Sequence, residues 1–285
     1  VAGTLHVVAT PLGNLDDLSP RARDVLDRVS CIACEDTRRT AKLLARFGLD
    51  TPTISCHRFN EAARLESVLE RLRRGDDVAL VSDGGTPAVS DPGARLVDAA
   101  LTEGIRVSPV PGPSAVIALL SACGFDADRF VFDGFLPHRA GERRRRLREL
   151  ATQPRTVVAF EAPHRILKTL DDLAEVLGDR PIVLGREVTK IHETILRGCA
   201  TELKASLETG PVRGEITLVI RGAGRDGGSP AVGSSDARLL EVWREELERA
   251  GGKRRDALRT ASSRLGMKRS ELFRRLAELG ADRPD

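Results

Sequence analysis

Short runs of β-branched and apolar residues alternate with longer stretches whose apolar positions recur every three or four residues, from the start of the chain to about position 220. The first kind reads as buried strand and the second as amphipathic helix. Their alternation predicts parallel α/β architecture in preference to a sandwich or a helical bundle. Strands are predicted near Leu5–Thr10, Val29–Cys34, Thr53–Cys56, Val78–Ser82 and Arg106–Val110. Helices are predicted near Pro20–Arg28, Thr37–Phe47, Glu61–Arg73 and Gly93–Glu103, so that one sheet carries helices on both faces. The stretch VPGPSAVIALLSACG opens on prolines that cannot donate inside a helix and continues as a small-residue apolar helix with Ser114 near its start.

Beyond it, RFVFDGF, RTVVAFE, PIVLGRE and GEITLVIRG read as strands, with a helix over Arg165–Leu177, and their less regular spacing predicts a mixed sheet. The expected organisation is an N-terminal α/β domain with a parallel sheet over 1–122 and a second α/β domain over 123–222. A Gly/Ser/Pro-rich linker over 223–235 and a basic helical extension over 236–285 follow. In the extension, Arg254–Leu265, a turn at Gly266 and a helix with Ser270 as N-cap have a helix-turn-helix outline, which any helical hairpin shares.

Composition narrows the class. At 285 residues and 41% apolar content there is material for two cores. No apolar run approaches the roughly 18 residues of a membrane span, and the opening VAGTLHVVATPLG lacks a signal-peptide pattern, so a cytoplasmic location is expected. Five cysteines without regular spacing suggest reduced thiols. Cys31 and Cys34 form a C-x-x-C to which Cys56 and His57 would add zinc ligands on paper, but VSCIAC reads as a strand interior, and no metal is expected. The net charge is only +3, so its distribution matters more. Arginines concentrate at Arg143, Arg144, Arg145 and Arg146, and basic residues again at Lys253, Arg254, Arg255, Lys268, Arg269, Arg274 and Arg275. Each run is either a solvated helix face or a set of phosphate contacts.

In an open α/β sheet, ligands sit beyond the carboxyl ends of the strands. Four loops leave the predicted strands there: TPLGNL, CEDTR, SDGGTP and VPGPSA. Their glycines fit neither G-x-G-x-x-G nor a phosphate-binding P-loop, which needs a lysine. Glycine, proline and small polar residues at four equivalent exits predict a snug cleft walled by backbone.

The ordered segments VATPLGNLDDLSPRA, EDTRRT, LVSDGGTPAVSDPG, PVPGPSA, GFLP, FEAPHRI, REVTKIHE and GEITLVI, spanning Leu5 to Arg221, resemble the ribosomal RNA small subunit methyltransferase I family of the tetrapyrrole methylase superfamily. Two positions depart from that pattern: Gly84 stands where alanine is commoner, and Phe160 where tyrosine is, which removes a hydroxyl. The resemblance implies a two-domain α/β fold (class III, using S-adenosylmethionine, SAM) with a short helical extension, and a homodimer. It also implies methyl transfer to the ribose 2′-OH of a decoding-region cytidine in the 16S rRNA of the small ribosomal subunit.

By the same resemblance, Pro11, Ser82, Asp83, Gly84, Gly85, Thr86, Ser114, Ala115, Leu184, Glu215, Ile216 and Thr217 would hold SAM. A ribose hydroxyl is a weak acid, so a base or a cation beside it helps the transfer. Candidates are Glu35, Asp36, Arg38, Glu161, Lys190 and Glu193. Asp36 reads equally as a helix N-cap, and Glu161 with Arg165 as a structural ion pair; His57 and His164 are further proton carriers. A methylase of a tetrapyrrole precursor and a non-catalytic RNA-binding assembly factor are the competing readings. Against the first, TPLGNLDDLS differs from the GxGPGDPxLLT loop of the porphyrin-pathway relatives.

Overall fold

From its amino end the chain forms β1 (Thr4–Val8), α1 (Pro20–Arg28), β2 (Cys31–Cys34), α2 (Thr37–Phe47), β3 (Thr53–Ser55), α3 (Glu61–Arg73), β4 (Val78–Val81), α4 (Ala94–Thr102), β5 (Arg106–Val110) and α5 (Ala115–Ala122). The structure, a computed structural model, describes residues 1–208, 210–223, 235–251, 253–265, 267, 269–279 and 281. Local chemistry sets the helix ends. The Ala22 N–H donates to Ser19 Oγ at 3.1 Å ahead of α1, whose first residue is proline. The Arg38 N–H donates to Asp36 Oδ1 at 2.9 Å, and Gly48, at φ 68°, closes α2 in a left-handed turn.

The five strands make a parallel sheet in the order β3-β2-β4-β1-β5. Side-chain alternation sends Val8, Ile32, Cys34, Ala79 and Val81 to the face covered by α1 and α2. Leu5, Cys31, Ala33, Val78 and Leu80 go to the face covered by α3 and α4. The same alternation puts Cys31 and Cys34 on opposite faces, so the C-x-x-C cannot close on one metal ion. Burial also pushes the Cys56 thiol up to about 11.

The second sheet is built from β6 (Phe130–Phe135), α6 (Ala140–Ala151), β7 (Thr156–Glu161), α7 (Ile166–Leu177), β8 (Ile182–Arg186), β9 (Thr194–Gly198), α8 (Ala200–Leu207) and β10 (Ile216–Ile220). Its order is β6-β7-β10-β8-β9, with β6 and β7 parallel and the other pairs antiparallel. Val157, Ala159, Leu184, Ile216 and Leu218 pack on α6, α7 and α8. Val158, Val183 and Val219 pack on Val116, Leu119 and Leu120 of α5, which joins the two lobes. Burying a side chain such as Leu119 stabilises by about 1.5–3 kcal/mol. That approach needs Gly185, because a Cβ there would lie 2.8 Å from Leu119 Cδ1.

Both lobes belong to one compact unit, Val1–Gly227, and the terminal helices to a second, Gly228–Asp285. The second unit holds α9 (Ser235–Arg249), α10 (Arg254–Arg264) and α11 (Arg269–Glu278) around Leu239, Val242, Trp243, Ala257, Ala261, Leu272 and Leu276. α11 begins at Arg269, so Ser270 lies inside the helix and is not its N-cap. Gly266, Lys268 and most of the expected linker lie outside the described residues. Among the described residues no helix is long and apolar enough to cross a membrane.

Candidate active site

The strand order places β1 beside β4, and the connections from their carboxyl ends run to opposite faces, from β1 to α1 and from β4 to α4. This is a topological switch point, where the diverging loops leave a crevice. A two-bond bridge staples the loops across it: Thr10 N–H to Gly85 O at 2.9 Å and Gly85 N–H to Thr10 O at 2.8 Å. Gly85 takes φ 89°, and a Cβ on Gly84 would stand 3.1 Å from Pro11 O, so the wall is main chain in close contact. The Thr86 hydroxyl donates to Pro113 O at 3.2 Å, tying in the loop after β5. A cavity of about 170 Å³ opens beside the staple, lined by the loop after β1 (Thr10–Gly13), Ser82, Asp83 and the α2 residues Arg39, Thr40, Lys42 and Leu43.

The second lobe closes on the same end of the first sheet. The Lys190 side chain lies over Gly13, where a Cβ would be 2.2 Å from its Cγ. Lys190 Nζ donates to Glu187 Oε1 at 2.8 Å and Glu215 Oε2 at 3.3 Å. Across the other side, a Cβ on Gly134 would be 3.2 Å from Ser90 Oγ. The non-glycine residues with positive φ among the described ones are Ala88, Ser90, Glu187 and Thr189, two on the loop after β4 and two on the turn after β8. Such conformations cost about 1–3 kcal/mol each and concentrate where a loop is held in place for function.

The crevice is acidic. Burial, with the nearby charges of Asp83 and Glu215, pushes the Asp91 carboxyl up to about 6 against a hydrogen bond from Ser82. Burial and the charges of Asp83 and Asp91 likewise raise Glu35, while Arg39 and His57 oppose them. Burial works against the Lys190 charge, yet Glu187 and Glu215 raise its pKa overall. Among the described residues no group of three or more His, Cys, Asp or Glu side chains is arranged to hold a metal ion.

The expected cofactor residues divide by strand parity. Pro11, Ser82, Asp83, Gly84, Gly85 and Thr86 form the stapled wall, and Ser114 and Ala115 start α5 just beyond. The half-buried Phe160 and the buried Thr217 and Gly185 share the sheet face that meets α5. Leu184 and Ile216 point the other way, into the core under α6–α8, so their side chains cannot touch a ligand in the crevice. Only their main chain is left to contribute.

The expected reacting groups separate as well. Glu161 is 2% exposed; it accepts from Ala162 N–H and Thr169 Oγ, both at 2.6 Å, and pairs with Arg165, which is the ion-pair alternative. Asp36 caps α2, and hydrogen bonds from Arg38 hold its carboxyl well below the usual carboxylate range. Its N–H also donates to Asp83 Oδ1 at 3.0 Å. Glu193 accepts from Thr189 N–H at 2.7 Å and closes its own turn. Glu35, a carboxyl with a raised pKa, and Lys190, an ammonium held charged, remain at the crevice.

The arginine run on α6 lies on the face of the second sheet away from α5, and three of its four members are engaged in ion pairs within the chain. Arg143, 4% exposed, is paired with Asp172, and Arg146 with Asp133 and Glu149. Arg144 reaches Asp172 and Glu175 at 3.6 Å, which leaves Arg145 exposed. Among the expected contacts in the extension, Lys253, Arg254, Arg255, Arg269 and Arg274 are exposed and Arg275 is half-buried. Asp91, Glu187, Arg39 and Lys42 belong to the site although the loop signals did not single them out, and Gly13 stands in the TPLGNL loop that they did. The second acidic glycine turn, SDPG, was the available sign for Asp91.

A profile of the tetrapyrrole (corrin/porphyrin) methylases matches residues 4–204. A ribosomal RNA small subunit methyltransferase I of Pseudomonas aeruginosa is 47% identical over 249 residues, 86% of this chain and 88% of that one. The protein of the same name from Synechocystis sp. is 42% identical over 281 residues, 98% of this chain and 99% of that one. Uroporphyrin-III C-methyltransferase from Thermus thermophilus, solved with S-adenyl homocysteine, aligns at TM-score 0.55 and 19% identity over 76% of this chain and 96% of its own, a likeness of fold. The chain therefore belongs to the ribosomal RNA small subunit methyltransferase I family, within the tetrapyrrole methylases.

Proposed function

We propose that the protein transfers a methyl group from SAM to the ribose 2′-OH of a decoding-region cytidine in the 16S rRNA of the small ribosomal subunit. The observation that carries this reading is the acid-lined crevice at the switch point, closed by loops from both lobes, in a chain that matches its relatives over most of their length. SAM fits the donor set. Its cationic groups suit Asp83, Asp91 and Glu215: the Asp91 carboxyl is raised by burial and then by the charges of Asp83 and Glu215, and a cation there would relieve both. The main-chain wall at Gly84 and Gly85 lets a ligand approach closely, with Pro11, Ser82, Thr86, Ser114, Ala115 and Thr217 around it. Bound SAM would supply an electrophilic methyl group on a sulfonium centre.

The chain's own groups then do three things. Glu35, made more basic by burial and by Asp83 and Asp91, takes the hydroxyl proton on a carboxylate oxygen. Lys190 holds positive charge between Glu187 and Glu215 and fixes the turn that carries Glu193. The stapled loops hold the acceptor in line, an effect worth up to about 7–11 kcal/mol in the best intramolecular cases. Arg38, 87% exposed at the start of α2, stays with the substrate side of the reading. The exposed cations of the extension, Lys253, Arg254, Arg255, Arg269 and Arg274, together with Arg275, are the RNA contacts of the second unit.

The reading carries with it a cytoplasmic location and a homodimer. The exposed apolar residues Phe59, Ile117, Phe135 and Ile191 offer surface for a second copy, and mass in solution checks it. The deciding experiment offers labelled SAM with unmethylated small subunits, naked rRNA and a uroporphyrinogen. Label in the ribose of one small-subunit cytidine is expected. Label in the porphyrin would overturn the substrate, and tight SAM binding with no label anywhere would favour an assembly factor.

A further inference from the structure

Three of the four arginines expected to meet RNA on α6 are engaged in ion pairs within the chain, whereas a second basic surface stands open at the crevice itself. α2 runs from Thr37 to Phe47 and buries Thr40, Leu43 and Leu44. Arg39, Lys42 and Arg46, spaced three and four residues apart, lie along its exposed side. From Arg39 to Arg46 the helix rises about 10 Å, the axial length of about three stacked nucleotide steps. Arg39 and Lys42 also line the cavity beside the stapled loops, so the row of cations leads directly to it. The acids facing this row hold it loosely. Arg39 Nε is 3.5 Å from Asp83 and Arg46 is 4.0 Å from Asp16, with both arginines about 60% exposed, and Lys42 is exposed.

We propose that the open face of α2, formed by Arg39, Lys42 and Arg46, is a phosphate-binding ridge that leads a single strand of the RNA substrate into the crevice. The inference rests on the RNA substrate proposed above and adds where its backbone lies. A ribose can enter a closed crevice only on an unpaired strand, and a cation row reads such a strand by charge, without reading its bases. Arg39 also neutralises part of the Asp83 charge, so the end of the ridge stands between the acidic crevice and the polyanion drawn toward it.

The test uses the full chain with the double substitution Lys42→Gln and Arg46→Gln, and as a control Arg71→Gln with Arg74→Gln. The control residues sit where the end of α3 meets the start of the first sheet, shown by the Gly3 N–H bond to Leu72 O at 2.8 Å. The KM for small subunits should rise about tenfold in the ridge variant, with kcat and SAM affinity unchanged. The slope of log affinity against log salt should fall by about 1 for each cation removed. The control pair should leave both as they were. An unaltered KM and slope in the ridge variant, or an equal loss in the control, overturns the ridge. A loss of SAM affinity also overturns it, by making the ridge part of the donor pocket. If the unaltered protein labels no RNA at all, the substrate reading fails and the ridge with it, an outcome distinct from a failure of the ridge alone.

Discussion

Asp91 and Glu161 are both acids in polar surroundings, and their partners give them opposite tasks. Among the described residues no cation pairs with Asp91; burial and its acidic neighbours push it up to about 6 from 3.8. An acid raised on folding carries no penalty below its unfolded value and a growing one as it ionises, so the unliganded protein should lose stability as the pH climbs between those two values. A bound cation reverses the balance. Calorimetry should therefore show SAM binding more tightly as the pH rises through this window, and Asp91→Asn should flatten that profile and weaken binding roughly tenfold near neutrality. An unchanged profile in the variant would remove Asp91 from the pocket. Glu161, by contrast, is neutralised by Arg165, whose Nε and Nη1 find no other partner. Glu161→Ala should cost about 3–5 kcal/mol in denaturant unfolding by stranding that guanidinium. SAM affinity of the folded fraction should not change, and a selective loss of affinity with normal stability would return Glu161 to the active site.

At the scale of elements, the turn after β8 is held to the loop after β1 by one side chain lying on a glycine. Gly13→Ala would put a methyl group where Lys190 Cγ now rests and lift the turn. Lysine is flexible enough to move aside, so the melting temperature should shift little. Misplacing Lys190 and Glu193 should cut turnover by about ten- to a hundredfold. Turnover equal to the unaltered protein would show that this contact does not position the reaction. The elements whose ends are set by local chemistry were legible in the sequence: α1 begins at the Ser19-Pro20 cap and α2 ends at Gly48. β9 was not, because TILRG is a short run of alternating exposure that takes its identity from pairing with β8. The crevice was legible as four loops, since glycine and proline mark turns wherever they fall. The direction of Leu184 and Ile216 was not, because it follows from strand register. Nor was the fate of Arg143, because its partner Asp172 lies 29 residues away on another helix.

At the scale of the whole molecule, each of the two compact units has its own core. The first contains every group proposed to hold SAM or move a proton, and the second is a set of charged helices around Trp243 and Leu272. Its charges are partly self-compensated: Glu246 accepts from Arg249 at 2.7 Å and Arg264 at 3.0 Å. Lys253, Arg254, Arg255, Arg269 and Arg274 are exposed on this unit and are the residues proposed to meet phosphate. Removing residues 234–285 should therefore leave a folded protein with unchanged SAM affinity and an unchanged melting transition for the first unit, while the KM for small subunits rises and its salt dependence becomes shallower. The two basic surfaces separate by combination. If the α2 ridge and the extension bind different stretches of RNA, the free-energy costs of the ridge substitutions and of the truncation should add. A truncated protein whose KM and salt dependence match those of the full chain, yet which still loses activity when Lys42 and Arg46 are neutralised, would place all of the RNA contact on the first unit and leave the helical extension with another task.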